Sequence, residues 1–176
     1  WQTEEITSDL QDADIVKIFK KGDKSECGNY RGITLLAIVG KIIARILATR
    51  LVQHAEGFLP ESQCGFRPNR GTTDMIFTAR QLQEKCREQR QPLYMAFIDL
   101  AKAFDSVNRA ALWRILGKFI SIVRLLHDGM SARVLSSQAA GDPFEVHTGV
   151  KQGCVIAPTL FSIFISTIFH LIKDRL

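Results

Sequence analysis

Residues 93–98, LYMAFI, form an almost wholly apolar run that is followed at once by Asp99. The run lacks the polar alternation of a half-wet strand and is too short for a typical helix. It therefore predicts a strand covered on both faces, which suits an α/β chain. Asp99 then stands at the C-terminal end of that strand, where side chains of a sheet can face a cleft. A carboxylate in such a place is costly to desolvate unless it meets a cation or a hydrogen-bond donor.

The surrounding pattern supplies the other layers. Residues 14–21 (DIVKIFKK) and 30–36 (YRGITLL) read as two strands, with Gly22-Asp23 as a turn signal, so a β-hairpin with a basic tip is expected. Between residues 41 and 58, Ile43, Ile46, Leu47, Leu51 and Ala55 recur at helical spacing, and Pro60 closes the helix. A second helix follows Gly71-Thr72-Thr73, with Met75, Ala79, Leu82 and Cys86 on one side and Arg80, Glu84, Lys85 and Arg87 on the other. Asp105 or Ser106 is expected to cap a helix running to Phe119, followed by a helical run over 120–130. Residues 132–148 fit a hairpin around Gly141-Asp142-Pro143, and residues 158–176 read as a nearly all-round apolar helix with proline in its first turn.

The totals exclude disorder. Of 176 residues, 46% are hydrophobic and 23% charged, so one or two compact units are expected. Twenty-three Lys and Arg against eighteen Asp and Glu leave a formal charge of +5, with a pI near 9.2, which favours an anionic partner such as nucleic acid. Cys27, Cys64, Cys86 and Cys154 are scattered, with none of the short spacings of a zinc knuckle. They read as reduced thiols, and the acidic, polar opening residues do not resemble a signal peptide; an intracellular, non-secreted protein of cytoplasm and nucleus is expected.

Two segments carry the chemistry. FIDLAKAFDSVNR, residues 97–109, delivers Asp99 as a rigid carboxylate of the kind a metal-dependent phosphoryl transferase uses. GVKQGCVIAPTLF, residues 149–161, brackets Lys151-Gln152 with Gly149 and Gly153, so the backbone can approach a ligand closely before Pro158 starts a helix.

In this order the two segments resemble motifs A and B of the reverse transcriptase family, with the closest likeness to enzymes of non-LTR (LINE-type) retrotransposons. Upstream, IFKKGDKSECGNYRGITLL and ESQCGFRPNRGTTDMIF resemble the family's two fingers motifs, so the likeness spans about residues 15–171. It implies the polymerase right-hand fold, with fingers over residues 1–90 and a partial palm over 91–176. It also implies template-directed deoxynucleotide addition to a primer 3′ end, with magnesium, or manganese in its place, as cofactor. The expected partners are an RNA template, a DNA primer, deoxynucleoside triphosphates and the remainder of a retroelement polyprotein, with no membrane.

Residue by residue, the resemblance implies that Asp99 is catalytic and, with the Leu100 carbonyl, binds metal. Phe104 stands as the steric gate beneath the sugar. Lys20, Lys21 and Arg31 would hold the triphosphate, where an arginine fork binds phosphate oxygens in pairs. Gln152 and Gly153 would lie beside nucleotide and template, and Phe66, Arg67 and Arg70 along the template. Asp105, although acidic and close by, is expected to cap a helix rather than bind metal.

The chain departs from the family pattern in three ways. It has no Asp-Asp pair, so a fragment ending before the aromatic-x-Asp-Asp hairpin, and inactive by itself, is expected. Ala157 occupies a position where the family commonly has serine, and a small internal deletion is expected near Phe119–Val123. The alternatives are a non-catalytic nucleic-acid-binding remnant or the product of a retroelement pseudogene. A membrane span over 155–172 is disfavoured by Pro158, Ser162, Ser166, Thr167 and His170 within it.

Overall fold

The computed structural model describes residues 6–117, 121–136 and 139–174. It is a mixed α/β structure with one small sheet. In chain order the elements are α1 (Ser8–Gln11), β1 (Ala13–Phe19), a 3₁₀ turn at Cys27–Asn29, β2 (Tyr30–Leu35), α2 (Ile38–Glu56), α3 (Thr72–Glu88), α4 (Arg109–Leu116), α5 (Ser121–Leu125), β3 (Ser131–Leu135), β4 (Phe144–Glu145) and α6 (Ala157–Lys173). The strands lie side by side in the order β2-β1-β3-β4.

The expected basic hairpin is present: β1 pairs antiparallel with β2, from Asp14↔Leu35 to Phe19↔Tyr30. β1 also pairs in parallel with β3, but only over Ala13–Val16, so the distal half of the hairpin projects past the sheet as a two-stranded ribbon. The hairpin expected around residues 141–143 forms too, with β3 and β4 antiparallel.

Helix α2 buries Gly40, Ala44, Leu47, Ala48, Leu51 and Ala55, one stripe at helical spacing. That stripe packs against α6, which buries Leu160 and Ile163 and begins with Pro158 in its first turn. Leu112 of α4 and Val123 of α5 complete the core. Core and sheet both draw on residues from each side of residue 90. No helix among the described residues is long and apolar enough to cross a membrane.

The segment 93–98 and the cap of α4 differ from expectation. Residues 93–98 form no strand: they run as irregular chain, with Tyr94 90% and Phe97 91% exposed. A strand exists through its ladder partners, and among the described residues no strand of the sheet lies beside this segment. Asp105 and Ser106 do not cap α4. Asn108 does, its side-chain oxygen accepting from the Ala111 amide at 2.9 Å, and the helix stops at Leu116, where Gly117 takes φ +58°. Helix α3 forms as expected, but none of its residues is buried; Met75 and Leu82 stay exposed. Residues 118–120, which include the start of the segment 119–123 where a deletion is expected, lie outside the described residues.

Candidate nucleotide and template interface

The two chemistry-bearing segments meet through their backbones. The Gly149 amide donates to the Val107 carbonyl at 2.9 Å and the Val150 amide to the Phe104 carbonyl at 2.8 Å, clamping loop 149–153 onto the turn of residues 101–106. On its far side the loop meets β2, where the Thr34 amide donates to the Gln152 carbonyl at 2.7 Å. Both glycines are needed for this sandwich. Gly149 (φ +82°) would place a Cβ 2.7 Å from Asp105 Cα, and Gly153 (φ +115°) would place one 2.7 Å from the Thr34 carbonyl oxygen. Phe104, Gln152, Gly153 and the strand that carries Arg31 thus come together.

Buried cations hold the loop from behind. Arg109 is buried and donates to the carbonyls of Gly149 (2.8 Å), His127 (2.6 Å), Val146 (2.6 Å) and Thr148 (3.3 Å). Burial pushes its pKa below the ordinary arginine value. Lys151, only 5% exposed, donates to the Gln11 carbonyl at 2.7 Å and reaches the Leu10 carbonyl at 3.5 Å; burial brings its pKa down to about 8. Gln11 in turn donates to the carbonyls of Leu125 and Asp128, so α1 is pinned between α5 and the loop. His127 is fully buried. Its Nδ1 faces the Val123 carbonyl at 2.8 Å, which can only accept, so Nδ1 carries the proton and Nε2 is left without a partner. Burial first, then nearby Lys151 and Arg109, lowers its pKa to about 4. The sequence alone marks no role for the Arg109, His127 or Lys151 side chains, because a polar residue reads as solvated until the carbonyls around it are known.

The triphosphate candidates are exposed. Arg31 pairs across the ladder with Ile18, and the Lys20 amide donates to the Asn29 carbonyl at 2.9 Å, extending the hairpin by one rung. Strand alternation puts Arg31, Ile18 and Lys20 on one face of the ribbon and Lys17, Phe19 and Tyr30 on the other. Lys21 stands at the turn beside Gly22 (φ +93°). The Ser25 amide donates to the Asp23 carboxylate at 2.8 Å, holding its pKa below the usual carboxylate value.

The template candidates divide. Phe66, at φ +58°, is exposed and packs edge-on against Phe104 with centroids 6.2 Å apart; Phe104 also meets Phe161 of α6 at 5.2 Å. Phe161 was not anticipated. Arg67 is turned inward, 7% exposed, with Nε and a terminal nitrogen on Glu56 at 3.0 and 2.7 Å. It also donates to the carbonyls of Pro60 (2.8 Å) and Gln63 (3.3 Å). That fork holds the Glu56 pKa below, and the Arg67 pKa above, their ordinary values. Arg70 is exposed and ion-paired with Glu61.

Asp99 and Leu100 stand in the exposed irregular segment, and the Asp99 carboxylate makes no hydrogen bond or ion pair among the described residues. No three His, Cys, Asp or Glu side chains among the described residues gather into a group able to hold a metal ion. One lone carboxylate does not fit a two-ion centre.

The family described as Reverse transcriptase (RNA-dependent DNA polymerase) matches residues 18–176. The chain belongs to the reverse transcriptase family. Among curated proteins it is similar to the RNA-directed DNA polymerase from mobile element jockey of Drosophila funebris, 27% identical over 86% of this chain and 18% of the relative. It is also similar to the probable RNA-directed DNA polymerase from transposon X-element of Drosophila melanogaster, 28% identical over 85% of this chain and 17% of that protein. A third relative is the retrovirus-related Pol polyprotein from type-1 retrotransposable element R2 of Popillia japonica, 29% identical over 81% of this chain and 21% of its own length. The chain thus spans about a fifth of the length of these relatives.

Proposed function

We propose that this chain is the nucleotide-facing part of an RNA-directed DNA polymerase of a non-LTR retrotransposon, with fingers over residues 1–90 and part of the palm over 91–176 of a right-hand fold. In the longer enzyme it serves template-directed addition of deoxynucleotides to a primer 3′ end. The observation that carries this reading is the docking of loop 149–153 between the turn of residues 101–106 and β2, which joins Phe104, Gln152 and Gly153 to the basic hairpin.

Lys20, Lys21 and Arg31 hold the triphosphate, Gln152 and Gly153 border the nascent pair, and Phe104 sits beneath the sugar with Phe161 and Phe66 behind it. Phe66 and Arg70 run along the template, and Arg67 supports their loop from inside. Asp99 contributes one carboxylate toward a magnesium site, and the 176 residues contain no Asp-Asp pair to complete it. The chain by itself therefore binds nucleic acid without extending a primer, which is also the observation that favours the binding-remnant reading for these residues alone.

A filter-binding titration with RNA tests the proposal. Affinity is expected to fall steeply as salt rises, because phosphate contacts release counterions. Replacing Lys20, Lys21 and Arg31 with alanine is expected to weaken binding and flatten that salt slope. Unchanged affinity in the triple variant would count against the fingers assignment.

A further inference from the structure

The face of the hairpin turned away from Lys20 and Arg31 carries a pair of aromatic rings. Phe19 and Tyr30 are ladder partners with centroids 5.4 Å apart. They lie beyond Val16↔Leu135, the last rung shared with β3, on the projecting ribbon. Phe19 is 38% exposed. The Tyr30 hydroxyl donates to the Lys24 carbonyl at 2.9 Å, so this ring is fixed against the tip. Each ring has a lysine above it: Lys17 Nζ stands 5.8 Å from the Tyr30 centroid and Lys24 Nζ 5.7 Å from that of Phe19. Over residues 17–31 five cationic side chains face only two carboxylates, Asp23 and Glu26. The Asp23 carboxylate already accepts from the Ser25 amide, and that of Glu26 is 3.4 Å from the Asn29 side-chain nitrogen Nδ2.

Fixed aromatic rings with flexible ammonium groups over their faces are what an unpaired nucleotide requires. A base stacks on the ring, and the lysine it displaces finds the phosphate of the same strand. A duplex hides its base faces and could use only the lysines. A cross-strand aromatic pair also stabilises a hairpin by itself, but that role gives no preference among ligands.

We infer that the Phe19–Tyr30 face, with Lys17 and Lys24, is a stacking platform for single-stranded RNA, separate from the triphosphate face. It deepens the polymerase reading by giving unpaired RNA a seat on the reverse side of the fingers hairpin. Strand alternation keeps the two functions separable, because substitutions on one face leave the other intact.

The test compares the 176-residue chain binding an oligouridylate of about twelve nucleotides with an abasic strand carrying the same number of phosphates. The oligouridylate is expected to bind on the order of ten-fold more tightly, the size of one stacked base. Phe19→Leu is expected to erase that difference while leaving abasic binding unchanged, and Phe19→Trp to keep it. Lys20→Ala with Arg31→Ala should weaken triphosphate binding yet preserve the base-dependent difference, so failure of the nucleotide-face reading is distinguishable from failure of the platform. Ring-proton resonances of Phe19 and Tyr30 in the unmodified chain provide a readout that needs no variant: they are expected to shift with oligouridylate and not with the abasic strand. Equal affinity for the two strands, a preference that survives Phe19→Leu, or unmoved rings would overturn the platform.

Discussion

The amide of Thr34 and the carbonyl of Gln152, far apart in sequence, are joined by a hydrogen bond of 2.7 Å. This bond fixes the distance between the hairpin that carries Arg31 and the loop that carries Gln152. It exists because Gly153 lets the loop backbone lie against Thr34 without a Cβ between them.

Gly153→Ala is therefore expected to destabilise the fold by about 1–3 kcal/mol, from left-handed backbone strain and the clash with the Thr34 carbonyl. Gly28→Ala is the control: a Cβ there would meet nothing within 4 Å beyond its chain neighbours, and its φ is not positive. Urea unfolding of both variants should separate them. Equal midpoints would mean that the loop does not need this contact.

Arg67 and Arg70 should respond in opposite ways. Arg67→Ala removes a buried guanidinium together with its charged fork on Glu56 and its bonds to two carbonyls that brace the loop, at an expected cost of about 1–3 kcal/mol. Arg70→Ala removes an exposed pair with little effect on stability, because surface ion pairs contribute about 0–1 kcal/mol, but should weaken RNA binding. Thermal melts with parallel RNA titrations would show it, and the reverse pattern would exchange their roles.

The basic hairpin, α2, α3 and α6 were legible because their periodicity or turn chemistry is local: Gly22-Asp23 turns the chain, and Leu47 and Leu51 fall on one helical stripe. Residues 93–98 were not, because an apolar run specifies a strand only where a neighbouring strand offers its ladder. Asn108 rather than Asp105 or Ser106 caps α4, a shift of two or three residues that composition cannot resolve in so polar a stretch. Nor does sequence reveal that Arg109, Lys151 and Arg67 are inward-facing, since a buried cation depends on carbonyls supplied by distant segments, as Gln11 does for Lys151. The motif residues Phe104, Gln152 and Gly153 do come together in the structure, whereas the contact of Phe161 with Phe104 was not foreseen because Phe161 reads as any core residue of an apolar helix.

His127 makes stability depend on acidity. Its folded pKa of about 4 lies below the ordinary 6.5, so between those values the unfolded chain binds the extra proton. The contribution of this group to stability is complete above pH 6.5 and is lost as pH falls toward 4, by about 3 kcal/mol. His127→Asn, which retains a donor for the Val123 carbonyl but cannot titrate, should show a shallower fall over that window. Chemical denaturation at a series of pH values measures the difference, and parallel curves would rule out a neutral buried imidazole.

On the reading proposed above, Asp99 and loop 149–153 belong to a polymerase active centre that the 176 residues alone do not complete. Primer extension on an RNA template tests it most directly, comparing the chain as it stands with a version carrying an aromatic-x-Asp-Asp hairpin and the rest of a palm after residue 176. The chain alone should extend nothing with magnesium, manganese and all four deoxynucleotides, and the longer version should extend the primer. In the longer version Asp99→Asn should abolish extension, whereas Asp105→Asn, at an exposed position that neither caps α4 nor is assigned to metal, should leave it largely intact. Extension by the 176 residues alone, or full activity in the longer Asp99→Asn protein, would contradict the account.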